Sequence, residues 1–133
     1  MRCMKAELQV LESGGSIVNA ASVSGIRGQP NPGSAAYIAS KHGVVGLTRV
    51  AARDFGAKNI RVNAVAPGYV DTPLMQGAIK TIGKDVFQAA AEQHPLGRKA
   101  DPMEIGNVIA FLLSDDASFV TGAVYEVDAG WTS

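Results

Sequence analysis

The chain has 133 residues, with 12 basic and 12 acidic side chains and a formal net charge of zero. This balance argues against a nucleic-acid partner, because such proteins concentrate lysine and arginine on one face. The single cysteine, Cys3, excludes an internal disulfide and fits a reducing compartment. No apolar run approaches the ~18 residues that a membrane span needs. We therefore expect a soluble, cytoplasmic protein of one domain's length.

Apolar runs and helical patterns alternate along the chain, which is typical of an open parallel sheet with helices on its faces. Helical periodicity predicts four helices, over residues 1–12, 34–55 and 74–94 and from residue 102 onward. Short apolar runs predict three strands, over residues 17–20, 60–65 and 123–127. The predicted fold class is therefore α/β, with about three parallel strands and flanking helices.

Glycine and proline predict further local features. Gly43 and Gly46 each cost the long helix roughly 1 kcal/mol of helix propensity, so we expect another helix to approach closely there. Gly77 and Gly83 are expected to break the third helix. The sequence Asp-Pro-Met-Glu from Asp101 predicts a capping box at the start of the last helix.

Tyr37 and Lys41 point to proton transfer. They stand four residues apart in a predicted helix, so they lie on the same face about one turn from each other. An ammonium close to a phenol favours the phenolate, which makes proton exchange more efficient at neutral pH. Upstream, Ser22 and Ser24 each offer a hydroxyl for a substrate oxygen. The Tyr-x-x-x-Lys spacing alone is a weak signal, because an ordinary amphipathic helix often contains it.

The neighbouring motifs make the signal specific. Residues 15–22 (GSIVNAAS) indicate a strand that ends in a serine, and residues 61–72 (RVNAVAPGYVDT) follow the helix with the tyrosine and lysine. In this order the motifs closely resemble the C-terminal half of the short-chain dehydrogenase/reductases, over nearly the whole chain. The resemblance implies the C-terminal part of a Rossmann-type doubly wound parallel sheet. It also implies an NAD(P)-dependent oxidoreductase that acts on a small alcohol or ketone.

The resemblance further implies roles for individual residues. Tyr37 would exchange the proton, Lys41 would support Tyr37 and hold the nicotinamide ribose, and Ser22 would hold the reacting oxygen. The strand-end pattern favours Ser22, whereas the usual distance from serine to tyrosine favours Ser24, so both remain candidates. Besides Tyr37 and Lys41, the expected cofactor-binding residues are those of the turn after the second strand: Pro67, Gly68, Val70 and Thr72.

No G-x-G-x-x-G motif follows a strand in this sequence. The resemblance then implies that the dinucleotide-binding half of the family's fold is missing. The asparagine of the family's catalytic set and the residue that selects NAD or NADP would be missing with it. We expect residues 1–133 to form a single truncated Rossmann-type domain that binds neither NADH nor NADPH tightly by itself.

The alternative to an enzyme is an inactive fragment or an interaction subunit. Family members pair through the first helix and the helix that carries Tyr37 and Lys41, so we expect a homo-oligomer or assembly with a relative. A metal site is not expected, because His42 and His94 have no cysteine or carboxylate at ligand spacing.

Overall fold

The computed structural model describes residues 2–28, 33–83, 88–89 and 91–133. The predicted alternation of strands and helices is confirmed. Short 3₁₀ turns follow β1, α2 and α4, at Val23–Gly25, Gly56–Lys58 and Asp115–Ala117. The main elements, in chain order, are α1 (Arg2–Val10), β1 (Ser16–Ala20), α2 (Ala35–Phe55), β2 (Arg61–Pro67), α3 (Pro73–Ile82), α4 (Pro102–Leu113) and β3 (Val124–Val127).

The three strands form one parallel sheet in the order β1-β2-β3. Ile17 of β1 lies opposite Val62 of β2, and Ala64 of β2 lies opposite Val124 of β3. Residues 62–66 of β2 are all fully buried. A strand with neighbours on both sides and helices on both faces needs a continuous buried run, and β2 has one.

Helices cover the two faces of this sheet. Ala51 and Ala52 of α2 pack with Val62 on one face, where side chains of α1 also contact the core. On the other face, Val65 packs with Ile105 and Leu112 of α4. Within the described residues, β1 has a strand partner on one side only.

Asn63 is a fully buried polar residue in the central strand. Its Nδ2 donates to the carbonyl of Val120 (2.8 Å), and its Oδ1 accepts from the backbone N–H of Ala123 (3.1 Å). Both partners lie in the segment that leads into β3. The side chain therefore supplies hydrogen bonds that the sheet ladder does not make there.

Arg61, at the start of β2, caps the end of α4. Its guanidinium donates to the carbonyls of Leu112 (2.7 Å), Leu113 (3.3 Å) and Ser114 (2.9 Å). The last carbonyls of a helix have no partner within the helix and attract positive charge. This contact fixes α4 against the sheet.

The predicted capping box at the start of α4 is confirmed. The Asp101 carboxylate accepts from the backbone N–H of Met103, and the Glu104 carboxylate accepts from that of Asp101, both at 2.8 Å. Hydrogen bonds from Arg98, and then from the Asp101 backbone, lower the pKa of Glu104 to about 2. Among the described residues, no helix is long and apolar enough to cross a membrane.

One prediction from glycine was wrong, and a second is not met within this chain. Helix α3 runs through Gly77 without a break, because one glycine costs only roughly 1 kcal/mol and leaves the hydrogen-bond ladder intact. A Cβ at Gly43 or Gly46 would meet no atom within 4 Å, so no helix of the described chain approaches them. The break at Gly83 is confirmed, since α3 ends just before this residue, whose φ is +103°. Residues 84–87 and 90 of the predicted third helix lie outside the described residues.

We predict that Asn63→Leu lowers the free energy of unfolding by about 2 kcal/mol or more. Leucine keeps the branching at Cγ but is larger, and it leaves the Val120 carbonyl and the Ala123 N–H buried without these partners. The matched control is Asn107→Leu, at an exposed position of α4. Urea denaturation followed by circular dichroism measures both changes. An equally small effect of the two variants would show that the Asn63 hydrogen bonds do not support the fold.

Candidate functional site

The carboxyl end of β1 is tied to helix α2. The Nζ atom of Lys41 donates to the carbonyl of Ala20, the last residue of β1, at 3.0 Å. A Cβ at Gly25, in the 3₁₀ turn that follows, would lie 2.7 Å from the carbonyl oxygen of Lys41. Only glycine permits this approach. The turn after β1 therefore lies directly against the part of α2 that carries Lys41.

Burial distinguishes the two candidate serines in this turn. Ser22 caps the turn, and its Oγ accepts from the backbone N–H of Ser24 at 3.2 Å. Ser24 is only 7% exposed, whereas Ser22 remains partly exposed at the end of the strand. Ser22 is thus the more accessible of the two to a small molecule.

Tyr37 and Lys41 lie together, as their spacing predicted. The Nζ atom of Lys41 is 5.6 Å from the centroid of the Tyr37 ring, and Tyr37 is 49% exposed. An ammonium has three N–H donors. In the described part of the chain, one of them is used on the Ala20 carbonyl, so Lys41 retains donors for a ligand.

The turn after β2 follows the next strand of the sheet. The backbone N–H of Gly68 donates to the carbonyl of Val127 (3.2 Å), and Val70 forms a parallel bridge with Ala100. The Oγ1 of Thr72 accepts from the backbone N–H of Met75 (3.3 Å) at the start of α3. Thr72 is therefore a helix-capping residue in this structure, and its hydroxyl proton can still be donated.

Tyr69 of this turn packs against the rings of His94 and Trp131, and we call these three rings the ring cluster. Their centroids are 4.8 to 5.5 Å apart. Burial raises the pKa of Tyr69, so its phenol stays neutral at physiological pH. This cluster was not predicted from the sequence. The three rings are far apart in the chain, and no spacing rule connects them.

The candidate catalytic residues thus lie at the carboxyl end of β1: Ser22, Tyr37 and Lys41. The candidate cofactor-binding residues of the next turn lie at or just beyond the carboxyl end of β2: Pro67, Gly68, Val70 and Thr72. The two strands are parallel neighbours, so these ends share one edge of the sheet. In open α/β sheets, ligands bind at this edge. The phenol, the ammonium and the hydroxyl therefore lie towards the same edge of the sheet as the turn after β2.

Comparison with known proteins identifies the family. A family model described as "Enoyl-(Acyl carrier protein) reductase" matches residues 1–132. The chain is 51% identical over 131 residues to the "Short-chain dehydrogenase/reductase ABA4" of Pyricularia oryzae, covering 98% of this chain and 48% of that protein.

Two solved structures share the fold. "4-hydroxyisoleucine dehydrogenase complexed with NADH" has a TM-score of 0.83 and 37% identity, over 98% of this chain and 52% of its own. "ElxO with NADP Bound" has a TM-score of 0.82 and 35% identity, over 98% of this chain and 50% of its own. This chain belongs to the short-chain dehydrogenase/reductase family, with three strands of the Rossmann-type sheet and their flanking helices. It spans about half the length of the relatives that it matches.

Proposed function

We propose that this chain is the catalytic and substrate-binding half of an NAD(P)-dependent oxidoreductase that interconverts an alcohol and a carbonyl compound. The observation that carries the proposal is the hydrogen bond from Lys41 to the Ala20 carbonyl. It joins the helix bearing Tyr37 to the strand end that precedes Ser22. This link supports the proposal that Tyr37, Lys41 and Ser22 act together on one substrate. Similarity to a protein named 4-hydroxyisoleucine dehydrogenase supports the reaction class.

The chemistry follows from these three side chains. The hydroxyl of Ser22 donates a hydrogen bond to the substrate oxygen, and the phenol of Tyr37 exchanges a proton with the same oxygen. The ammonium of Lys41 stabilises the deprotonated phenol by its charge. Tyr37 is half exposed, so a substrate can reach its hydroxyl. A bound nicotinamide would supply the acceptor or donor of the hydride.

The residues present fit the nicotinamide end of a dinucleotide. Lys41 retains N–H donors for ribose hydroxyls, and Thr72 can donate its hydroxyl proton. The backbone of Pro67, Gly68 and Val70 would line the ring beside them. NADP and NADH both occur among the similar structures, so the proposal covers both cofactors.

The proposal predicts different losses at Tyr37 and Lys41. The test protein joins this chain to the N-terminal half of the Pyricularia oryzae relative. Tyr37→Phe should lower kcat by about a hundredfold or more while cofactor affinity stays nearly unchanged, because only the proton donor is lost. Lys41→Ala should lower kcat and also weaken cofactor binding. Steady-state kinetics and a fluorescence titration with reduced cofactor measure both. Tyr125→Phe, on β3, is the matched control. Substantial turnover by Tyr37→Phe would refute the assignment.

The difference in burial between Ser22 and Ser24 predicts which substitution lowers kcat more in the same fusion protein. Ser22→Ala should lower kcat far more than Ser24→Ala, because Ser22 is accessible and Ser24 is not. Ser24→Ala should act mainly on stability, which thermal unfolding of the same samples measures. If Ser24→Ala causes the larger loss of kcat without loss of stability, the usual distance from serine to tyrosine identifies the catalytic serine instead.

An open apolar groove between α1 and α2 favours a second role, self-association. The groove has a volume of about 540 Å³ and is lined by apolar side chains with a charged rim. Val50, within it, is 56% exposed, and α1 has no buried residue. Gly43 and Gly46 leave open space elsewhere on α2. A second copy of α1 and α2 would cover this surface, as the pairing of family members implies.

We predict that Val50→Glu shifts the chain towards a smaller assembly, because an unpaired charge in a buried apolar contact is costly. Leu74→Glu is the matched control, since Leu74 is 86% exposed and lies outside the groove. Light scattering after size-exclusion chromatography measures the mass of each variant. A wild-type chain that is already monomeric would exclude this role.

A further inference from the structure

His94 is buried directly beneath the turn that follows β2. It is only 3% exposed. A Cβ on Gly68 would lie 2.7 Å from its Nε2, and 3.1 Å from the Cα and Cβ of Asp128. The backbone of Gly68 is thus confined between the imidazole and the end of β3. The position of the ring therefore sets the position of the turn.

Both ring nitrogens of His94 face backbone groups. Nε2 faces the backbone N–H of Tyr69 at 3.4 Å, and Nδ1 faces the carbonyl of Ala91 at 3.2 Å. A backbone N–H can only donate and a carbonyl can only accept. These two contacts suit the tautomer that carries a hydrogen on Nδ1 and directs the lone pair of Nε2 at the Tyr69 N–H.

We propose that His94 is a positioning residue, whose Nε2 lone pair holds the turn of residues 67–70 in the place where it would line the nicotinamide. The role in cofactor binding rests on the function proposed above, but the contact itself does not. A side chain of similar size without an acceptor at this place would leave the Tyr69 N–H without this hydrogen bond, and the turn would be held less firmly.

The charged groups around His94 come from several elements. Asp128 and Glu126 lie at the end of β3, Arg98 and Glu104 border the same cleft, and Tyr69 is in the turn itself. Asp128 already accepts from the N–H groups of Gly130 and Thr132 and from the Thr132 hydroxyl. Arg98 and Glu104 neutralise each other in a 2.7 Å ion pair.

Arg27 approaches the ring cluster at Trp131. Its guanidinium lies 5.4 Å from the centroid of the indole, which in turn packs on His94. This contact connects the loop after the serine turn to the ring cluster.

The positioning role is tested by amide exchange at Tyr69 in this chain without cofactor. In His94→Gln, the Oε1 can replace the Nε2 acceptor, whereas in His94→Leu a similar volume offers none. Exchange measured by NMR at neutral pH should be about tenfold faster in His94→Leu than in the wild type, and near the wild-type rate in His94→Gln. Equal protection by leucine and glutamine would mean that His94 only fills space. Neither outcome depends on turnover. A failure of this proposal can therefore be distinguished from a failure of the proposed oxidoreductase activity.

Discussion

Burial of the central strand β2 is the constraint on which the rest of the structure depends. A strand with neighbours on both sides and helices on both faces must be apolar, and its few polar groups must all find partners. Asn63 meets this requirement through the segment that leads into β3, and Arg61 through the end of α4. These contacts fix β3 and α4 relative to the sheet. The turn after β2 is consequently held by elements from the end of the chain.

Two residues of the proposed site each make a structural contact and keep a hydrogen-bond donor for a ligand. Lys41 both joins α2 to the end of β1 and retains donors for a ligand. Thr72 both caps α3 and keeps a hydroxyl proton to donate. Each of these residues therefore supports the local fold and is also available for chemistry. Substituting either residue would therefore affect both the local fold and the proposed chemistry.

The glycines of the chain differ in what surrounds them. At Gly25 and Gly68, a Cβ would lie less than 3 Å from an atom of another residue, so glycine is required by close approaches within the chain. Gly43 and Gly46 have no such neighbour. Sequence patterns cannot tell the two cases apart, because a glycine in the sequence does not show which atoms of the folded chain, if any, lie against it.

The sequence by itself determined the elements, the family and the candidate residues. Helical and apolar periodicity reflect local geometry and burial, and Tyr37 and Lys41 are neighbours in the helix through its pitch alone. Only the tertiary structure decided that Ser24 is buried while Ser22 is accessible, and that His94 lies beneath Gly68. These facts depend on how β1, β2 and the chain's end pack together. Contacts between residues so distant in sequence follow no period, so no pattern in the sequence could predict them.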